Sequence, residues 1–219
     1  MATTRVDSGP NLRRAAAVRL IRDRQHVDAV IEKGIRAANT SVWIATANLK
    51  DVHVEAGVGT RARARSRYVS LFEELHEVSR RRVDVRILHA GLPSRLLTQH
   101  LKPSKKSGVL LRRCLRVHLK MIAVDGKFLY LGSANFTGAG LGAKSDNKRN
   151  FEAGIVTDDD WLLDEKQGTF DAIWPGRHCK ECQLRPECPK PLDDVAGGEH
   201  KPFWFPARVG AVTDSSVGW

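Results

Sequence analysis

The stretch from His118 to Asn135 constrains the fold more than any other part of the chain, because its residue pattern predicts a β-hairpin. Successive side chains of an extended strand point to opposite faces, so His118 and Lys120 share one face. The residues that alternate with them are apolar and are expected to face a core: Val117, Leu119, Met121 and Ala123.

A two-residue turn at Asp125-Gly126 is expected to join the strands, because both residues tolerate the positive φ angles of a type I′ turn. The return strand is expected over residues 128–131. Counting back from this turn places Ser133 opposite His118. The other expected pairs are Val124 with Lys127, Ile122 with Leu129, Lys120 with Leu131, and Arg116 with Asn135.

An imidazole, an ammonium, a hydroxyl and a carboxamide would therefore meet at the open end of the hairpin. These groups suit an anion, since lysine supplies positive charge while serine and asparagine supply neutral donors. A histidine beside them can attack an electrophile or transfer a proton near neutral pH. The sequence thus predicts an anion site built from His118, Lys120, Ser133 and Asn135.

The spacing His-x-Lys-x4-Asp-x6-Gly-Ser-x-Asn, which starts at His118, resembles the HKD motif of the phospholipase D superfamily, and all of its fixed positions are present. The segment Asn150-Phe151-Glu152 and the apolar run after it resemble the downstream strand of that family, in which a glutamate orients the catalytic histidine. The chain therefore resembles a single-motif, nuclease-like member of the superfamily. The catalytic residues that this resemblance implies are His118, Lys120, Asp125, Ser133, Asn135 and Glu152, with Asp125 organising the hairpin.

The resemblance also implies a two-step mechanism without a catalytic metal. His118 would attack a phosphodiester and form a phosphohistidine, while a second histidine protonates the leaving oxygen and then activates water. Lys120, Ser133 and Asn135 would hold the non-bridging oxygens. Because the chain holds one HKD motif and the chemistry needs two histidines, we expect a homodimer that shares one site.

The fold that the resemblance implies is α/β: a mixed β-sheet flanked by helices, equivalent to a single HKD half. Local patterns agree with it, since helical spacing over 27–35 precedes a buried strand over 41–47. An amphipathic helix is expected over 68–78 and a strand over 83–89. A further helix is expected between an aspartate cap at 158–160 and Pro175-Gly176.

Four segments are expected along the chain. Residues 1–11 form a disordered leader, and residues 12–175 form the catalytic domain. Residues 176–206 form a small cysteine-rich, metal-binding appendage, and residues 207–219 form a flexible tail.

The charge balance favours a polyanionic partner, because 36 Lys and Arg stand against 25 Asp and Glu, a net charge of +11. A solvated basic surface would give the same balance. No secretory signal or membrane span is visible, so a cytoplasmic protein is expected. The candidate substrate contacts are Arg116, Lys144, Arg61, Arg63, Arg65, Lys105 and Lys106.

Three cysteines form a Cys-x2-Cys-x5-Cys cluster at Cys179, Cys182 and Cys188, a spacing that suits tetrahedral metal binding. Cys114 is the favoured fourth ligand, with His178 and His200 as rivals. Zinc in a structural role is the first expectation. A [4Fe–4S] cluster stays an alternative, since a similar spacing occurs in iron–sulfur nuclease domains.

Three functions compete at this point. The first is a nuclease, a metal-independent phosphodiesterase that acts on nucleic acid, with DNA favoured over RNA. The second is a phospholipid hydrolase or phosphatidyltransferase. The third is a DNA-binding subunit of a larger defence or repair complex.

Overall fold

A seven-stranded mixed β-sheet forms the centre of the protein in a computed structural model, which describes residues 15–57, 59–60, 65, 67–93 and 108–195. The strand order is β1-β9-β8-β7-β2-β5-β6, and β3 pairs with β4 in a separate small sheet. Strands β2, β5 and β6 are parallel, whereas the remaining neighbours are antiparallel. The strands are β1 (Val18–Arg22), β2 (Ser41–Thr46), β3 (His53–Glu55), β4 (Tyr68–Ser70), β5 (Asp84–His89), β6 (Val109–Arg113), β7 (Met121–Val124), β8 (Phe128–Gly132) and β9 (Ala153–Thr157).

Helices cover both faces of this sheet. Helix α1 (Leu71–Arg80) begins where the Ser70 side chain accepts from the backbone N–H groups of Phe72 and Glu73. Helix α2 (Asp160–Ile173) is capped by Asp159, whose side chain accepts from the Leu162 N–H. The shorter segments are a π-helix (Val27–Glu32) and the 3₁₀ turns Ile35–Ala37, Arg185–Glu187 and Leu192–Val195. The expected α/β fold is therefore confirmed.

Two hydrophobic cores lie on opposite faces of the sheet. The first packs α1 and the π-helix against residues such as Ile44 and Ile87. The second packs α2 and residues 174–192 against Trp43, whose ring stacks on Phe170 at 5.3 Å. Because successive strand residues alternate between these cores, the apolar face expected for the HKD strand is confirmed. Val117, Leu119, Met121 and Ala123 all belong to the second core.

The expected register of the hairpin is wrong by one residue. Strand β7 pairs with β8 as Met121–Leu131, Ile122–Tyr130, Ala123–Leu129 and Val124–Phe128, so three residues rather than two separate the paired strands. Asp125 and Gly126 do have the positive φ angles expected of them, 55° and 62°. Lys127, however, follows them in the turn and stays outside the ladder. The shift places Tyr130 rather than Leu129 opposite Ile122.

Strand β6 is not among the elements expected from the sequence. It pairs in parallel with β5 at the edge of the sheet. The helix expected from Tyr68 begins instead at Leu71, because Tyr68–Ser70 pairs with β3. The segments expected over 1–11 and 207–219 lie outside the described residues.

Candidate active site

His118 and Lys120 lie in the segment that leads into β7, just outside the strand on which the hairpin pattern placed them. The Lys120 Nζ lies 3.1 Å from His118 Nδ1 and 3.3 Å from Nε2, and it donates to the His118 carbonyl at 3.1 Å. The His118 ring is exposed, whereas Lys120 is half-buried. The histidine is therefore open to a ligand, with a cation held beside its ring.

Ser133 and Glu152 form the second part of the site. The Ser133 hydroxyl donates to the Glu152 carboxylate and accepts from the Ala153 N–H at 3.2 Å. Asn150 Nδ2 donates to Glu152 Oε1 at 3.0 Å. Among the described residues, the side-chain hydrogen bonds of Glu152 thus go to Ser133 and Asn150 rather than to His118.

Asn135 is oriented by the loop that follows β2. Its Oδ1 accepts from the Asn48 backbone N–H at 3.0 Å and lies 3.4 Å from Thr46 Oγ1. The Lys50 N–H donates to the Phe136 carbonyl at 3.0 Å, which ties the same loop to the end of the HKD motif. With its oxygen engaged in this way, Asn135 keeps its NH₂ group as a donor for a ligand.

Asp125 lies at the hairpin turn and holds the start of β2. Its carboxylate accepts from the backbone N–H groups of Asn39, Thr40 and Ser41 at 2.8–3.1 Å. Burial alone would raise the pKa of this carboxyl, but these hydrogen bonds outweigh it and the pKa lies below its ordinary value. Its contacts are those of a residue that organises the hairpin.

A layer of residues that sequence reasoning missed lies behind the site. Asp23 binds the backbone of Glu152, and His26 contacts Tyr130, whose hydroxyl accepts from the Ala134 N–H at 3.2 Å. The partners are separated by 104 and 129 residues along the chain. No local pattern in the sequence marks such long-range pairs.

The candidate substrate contacts have different surroundings. Arg65, Arg116 and Lys144 are exposed. Two other arginines that precede His118 have structural contacts instead: Arg112 donates to the Trp174 carbonyl at 2.6 Å, and Arg113 donates to the Ala90 carbonyl at 2.8 Å. The candidates that lie outside the described residues are Arg61, Arg63, Lys105 and Lys106.

The four cysteines line one cavity of about 20 Å³ between the start of the HKD segment and residues 179–192. Burial raises the pKa of the Cys114 thiol. His178 is exposed and does not line this cavity, and His200 lies outside the described residues. Within the described ranges, no three His, Cys, Asp or Glu side chains already stand in metal-binding geometry.

The helices of the described ranges include none with the length and apolar character to cross a membrane.

A mixed sheet whose β7–β8 hairpin carries the complete HKD motif defines a protein of the phospholipase D class. The family model described as "Cardiolipin synthase, PLD-like domain" matches residues 31–174. The chain belongs to this family, and with it to the phospholipase D superfamily of phosphodiesterases. No curated protein matches the sequence.

The chain is also similar to solved structures, of which Nuc supports the fold. Nuc from Salmonella typhimurium, a phospholipase D family member, is 20% identical with a TM-score of 0.51, over 73% of this chain and 95% of that one. NucT from Helicobacter pylori is 18% identical with a TM-score of 0.47, over 73% and 96%. TrmBL2, an archaeal chromatin protein whose structure shows a mode of DNA binding, is 16% identical with a TM-score of 0.43, over 72% and 52%.

Proposed function

We propose that this phosphodiesterase is a metal-independent nuclease that cleaves DNA through a phosphohistidine on His118, in an active site shared by two copies of the chain. The observation that carries the proposal is the exposed His118 ring with the Lys120 ammonium 3.1 Å from its Nδ1. A neutral imidazole there is a nucleophile, and the adjacent cation attracts the phosphate that it attacks.

The reaction proceeds in two displacements at phosphorus. A His118 nitrogen forms a bond to phosphorus as the bond to the leaving oxygen breaks, and a second histidine donates a proton to that oxygen. The same second histidine then takes a proton from water. The water oxygen attacks phosphorus, the phosphorus–nitrogen bond breaks, and His118 is restored.

Three donors stabilise the charge that builds on the non-bridging oxygens. Lys120 supplies an ammonium, Asn135 supplies its NH₂ group, and Ser133 supplies a hydroxyl. In the free protein the Ser133 hydroxyl donates to Glu152. Phosphate binding would therefore redirect the serine proton toward a phosphate oxygen.

The second histidine is assigned to His118 of a second copy. The chain contains one HKD motif, and His118 is exposed rather than enclosed by its own chain. A two-fold axis beside this ring would bring two imidazoles to one phosphate, one on each side of the reacting phosphorus.

Nucleic acid is favoured as the substrate by the charge around this face. Arg116 is exposed two residues before His118, and Lys144 is exposed in the loop after the motif. Lys50 adds an exposed cation on the loop that orients Asn135. A phosphodiester backbone supplies anions on both sides of the scissile phosphate, which a row of cations binds better than a single headgroup.

The test is cleavage of single-stranded DNA, duplex DNA, RNA and a phosphatidyl lipid in EDTA by wild type, His118→Ala and His178→Ala. His178 is an exposed histidine away from the motif and serves as the control. DNA cleavage that persists in EDTA, disappears in His118→Ala and survives in His178→Ala supports the proposal. Turnover of lipid alone, or tight DNA binding without turnover of any substrate, would overturn it.

A further inference from the structure

We propose that Cys114, Cys179, Cys182 and Cys188 bind one zinc ion, which fastens the C-terminal segment to the chain just before the HKD motif. Zinc is the metal, all four ligands are thiolates, and Cys114 supplies the fourth. This site does not depend on the substrate of the enzyme.

The first observation is convergence of the cysteines from two distant parts of the chain. Cys114 directly follows β6, whereas the other three lie beyond α2, yet all four line the same cavity. Cys114 and Cys179 also pack against the second core beside Leu192, which is 3% exposed. The fold thus brings the two parts of the site together.

The second observation is the backbone conformation around the thiols. The Cys114 sulfur accepts a hydrogen bond from the Arg116 N–H. One tight turn joins Cys179 and Cys182, because the Cys182 N–H donates to the Cys179 carbonyl at 3.2 Å. A tight turn of this kind lets both sulfurs of a Cys-x2-Cys pair reach one ion.

The third observation is the charge of the lining. Four thiolates and Zn²⁺ carry a net charge of −2, and Arg113 and Arg116 line the same cavity, as does Arg185, whose guanidinium pairs with Asp193 and Asp194. Guanidinium groups around a tetrathiolate site offset that charge. The protons of the four thiols leave to bulk water on binding.

The size of the cavity favours zinc over an iron–sulfur cluster. Its volume of about 20 Å³ holds roughly one water-sized atom, whereas a [4Fe–4S] cluster brings eight atoms. The four thiols line the cavity, but no three His, Cys, Asp or Glu side chains among the described residues already stand in metal-binding geometry. Zinc binding would draw the four ligands inward.

The experiment measures metal content and ligand type in the full chain. Wild type purified under reducing conditions is analysed for zinc and iron by plasma mass spectrometry, and cobalt-substituted wild type is analysed by visible absorption. We expect one zinc per chain, and cobalt bands typical of tetrahedral thiolate coordination. Iron with inorganic sulfide, paired disulfides, or no bound metal would each overturn the proposal.

Two matched variants test the ligand assignment. Cys114→Ser should weaken zinc binding by more than about 100-fold, beyond the 10–100-fold that loss of a group supporting a ligand costs. His178→Ala, one residue before Cys179, should bind zinc as wild type does. Equal loss in both variants, or full zinc affinity in Cys114→Ser, would overturn the four-thiol site. A chelator should also make residues 176–195 of wild type more sensitive to protease, a readout that needs no variant to fold.

Discussion

Asp23 holds the backbone of Glu152 from both sides. The Asp23 N–H donates to the Glu152 carbonyl at 2.9 Å, and the Asp23 Oδ1 accepts from the Glu152 N–H at 3.0 Å. Asp23 has a φ of 44°, in the left-handed region. Gly142 packs against it so closely that a Cβ there would lie 2.4 Å from the Asp23 carbonyl oxygen. Asp23 is therefore a positioning residue for the carboxylate that binds Ser133.

Replacement of Asp23 should separate positioning from charge. Asp23→Ala removes the acceptor for the Glu152 N–H and disfavours the left-handed backbone, so we expect kcat to fall by about 10- to 100-fold. Asp23→Asn keeps a side-chain oxygen and tolerates the same φ, so it should retain most of the activity. Steady-state kinetics of DNA cleavage by both variants measure this change in kcat. Wild-type kcat in Asp23→Ala would refute the positioning role.

Tyr130 should stabilise the end of the motif through its hydroxyl. This hydroxyl lies 3.1 Å from His26 Nε2 and accepts from the Ala134 N–H, and His26 is 0% exposed. Because Tyr130→Phe leaves these buried groups without a partner, the free energy of unfolding should fall by about 1–3 kcal/mol. Urea unfolding measures it, with Tyr68→Phe as the control, since Tyr68 is 62% exposed. Equal stability of the two variants would contradict the prediction.

Features set by nearby residues could be predicted from the sequence. β2 contains the apolar run 42–45 and is buried along its whole length, and α2 ends at Ile173 with Trp174 as its C-cap, just before the predicted Pro175-Gly176 stop. The HKD spacing alone was enough for the family. Each of these signals lies within a few residues of the feature that it predicts.

The register of the hairpin and the presence of strand β6 could not be predicted, because they depend on contacts that the sequence does not show. Asp-Gly has positive φ angles in both the expected two-residue turn and the observed three-residue turn, so it could not decide the register. Arg112 is one of many charged residues in the sequence, but its guanidinium lies 4.8 Å from the Trp174 ring, 62 residues away. Contacts at this distance along the chain hold strand β6 in place, and no local pattern marks them.

Substitution of Arg116 should change DNA binding, whereas substitution of Arg112 should change stability. Arg116 is exposed, so Arg116→Ala should weaken DNA binding and reduce the slope of log K against log salt by about 0.7–0.9, the value of one phosphate contact. Arg112→Ala should leave that slope unchanged. It should instead cost about 0.5–2 kcal/mol of stability, because its contact with Trp174 is lost. Salt titrations and thermal unfolding of both variants test this, and a reduced salt slope in Arg112→Ala would contradict it.

Asp125 should make stability depend on pH in the acid range. Its folded pKa is below the ordinary 3.8, so the unfolded chain takes up the proton more readily. The contribution of Asp125 to the free energy of unfolding is therefore complete above the ordinary pKa, and it is lost as the pH falls through the folded pKa. Asp125→Asn should be about 1–3 kcal/mol less stable than wild type near neutral pH, because an amide accepts fewer of the N–H groups of residues 39–41.

Thermal unfolding of wild type and Asp125→Asn from neutral pH to about pH 3 measures this difference. The gap between the two proteins should be constant near neutral pH and narrow in acid. Asp164→Asn, at an exposed position on α2, should match wild type at every pH. A gap that widens as the pH falls would mean that the Asp125 carboxylate does not stabilise the hairpin in its ionised form.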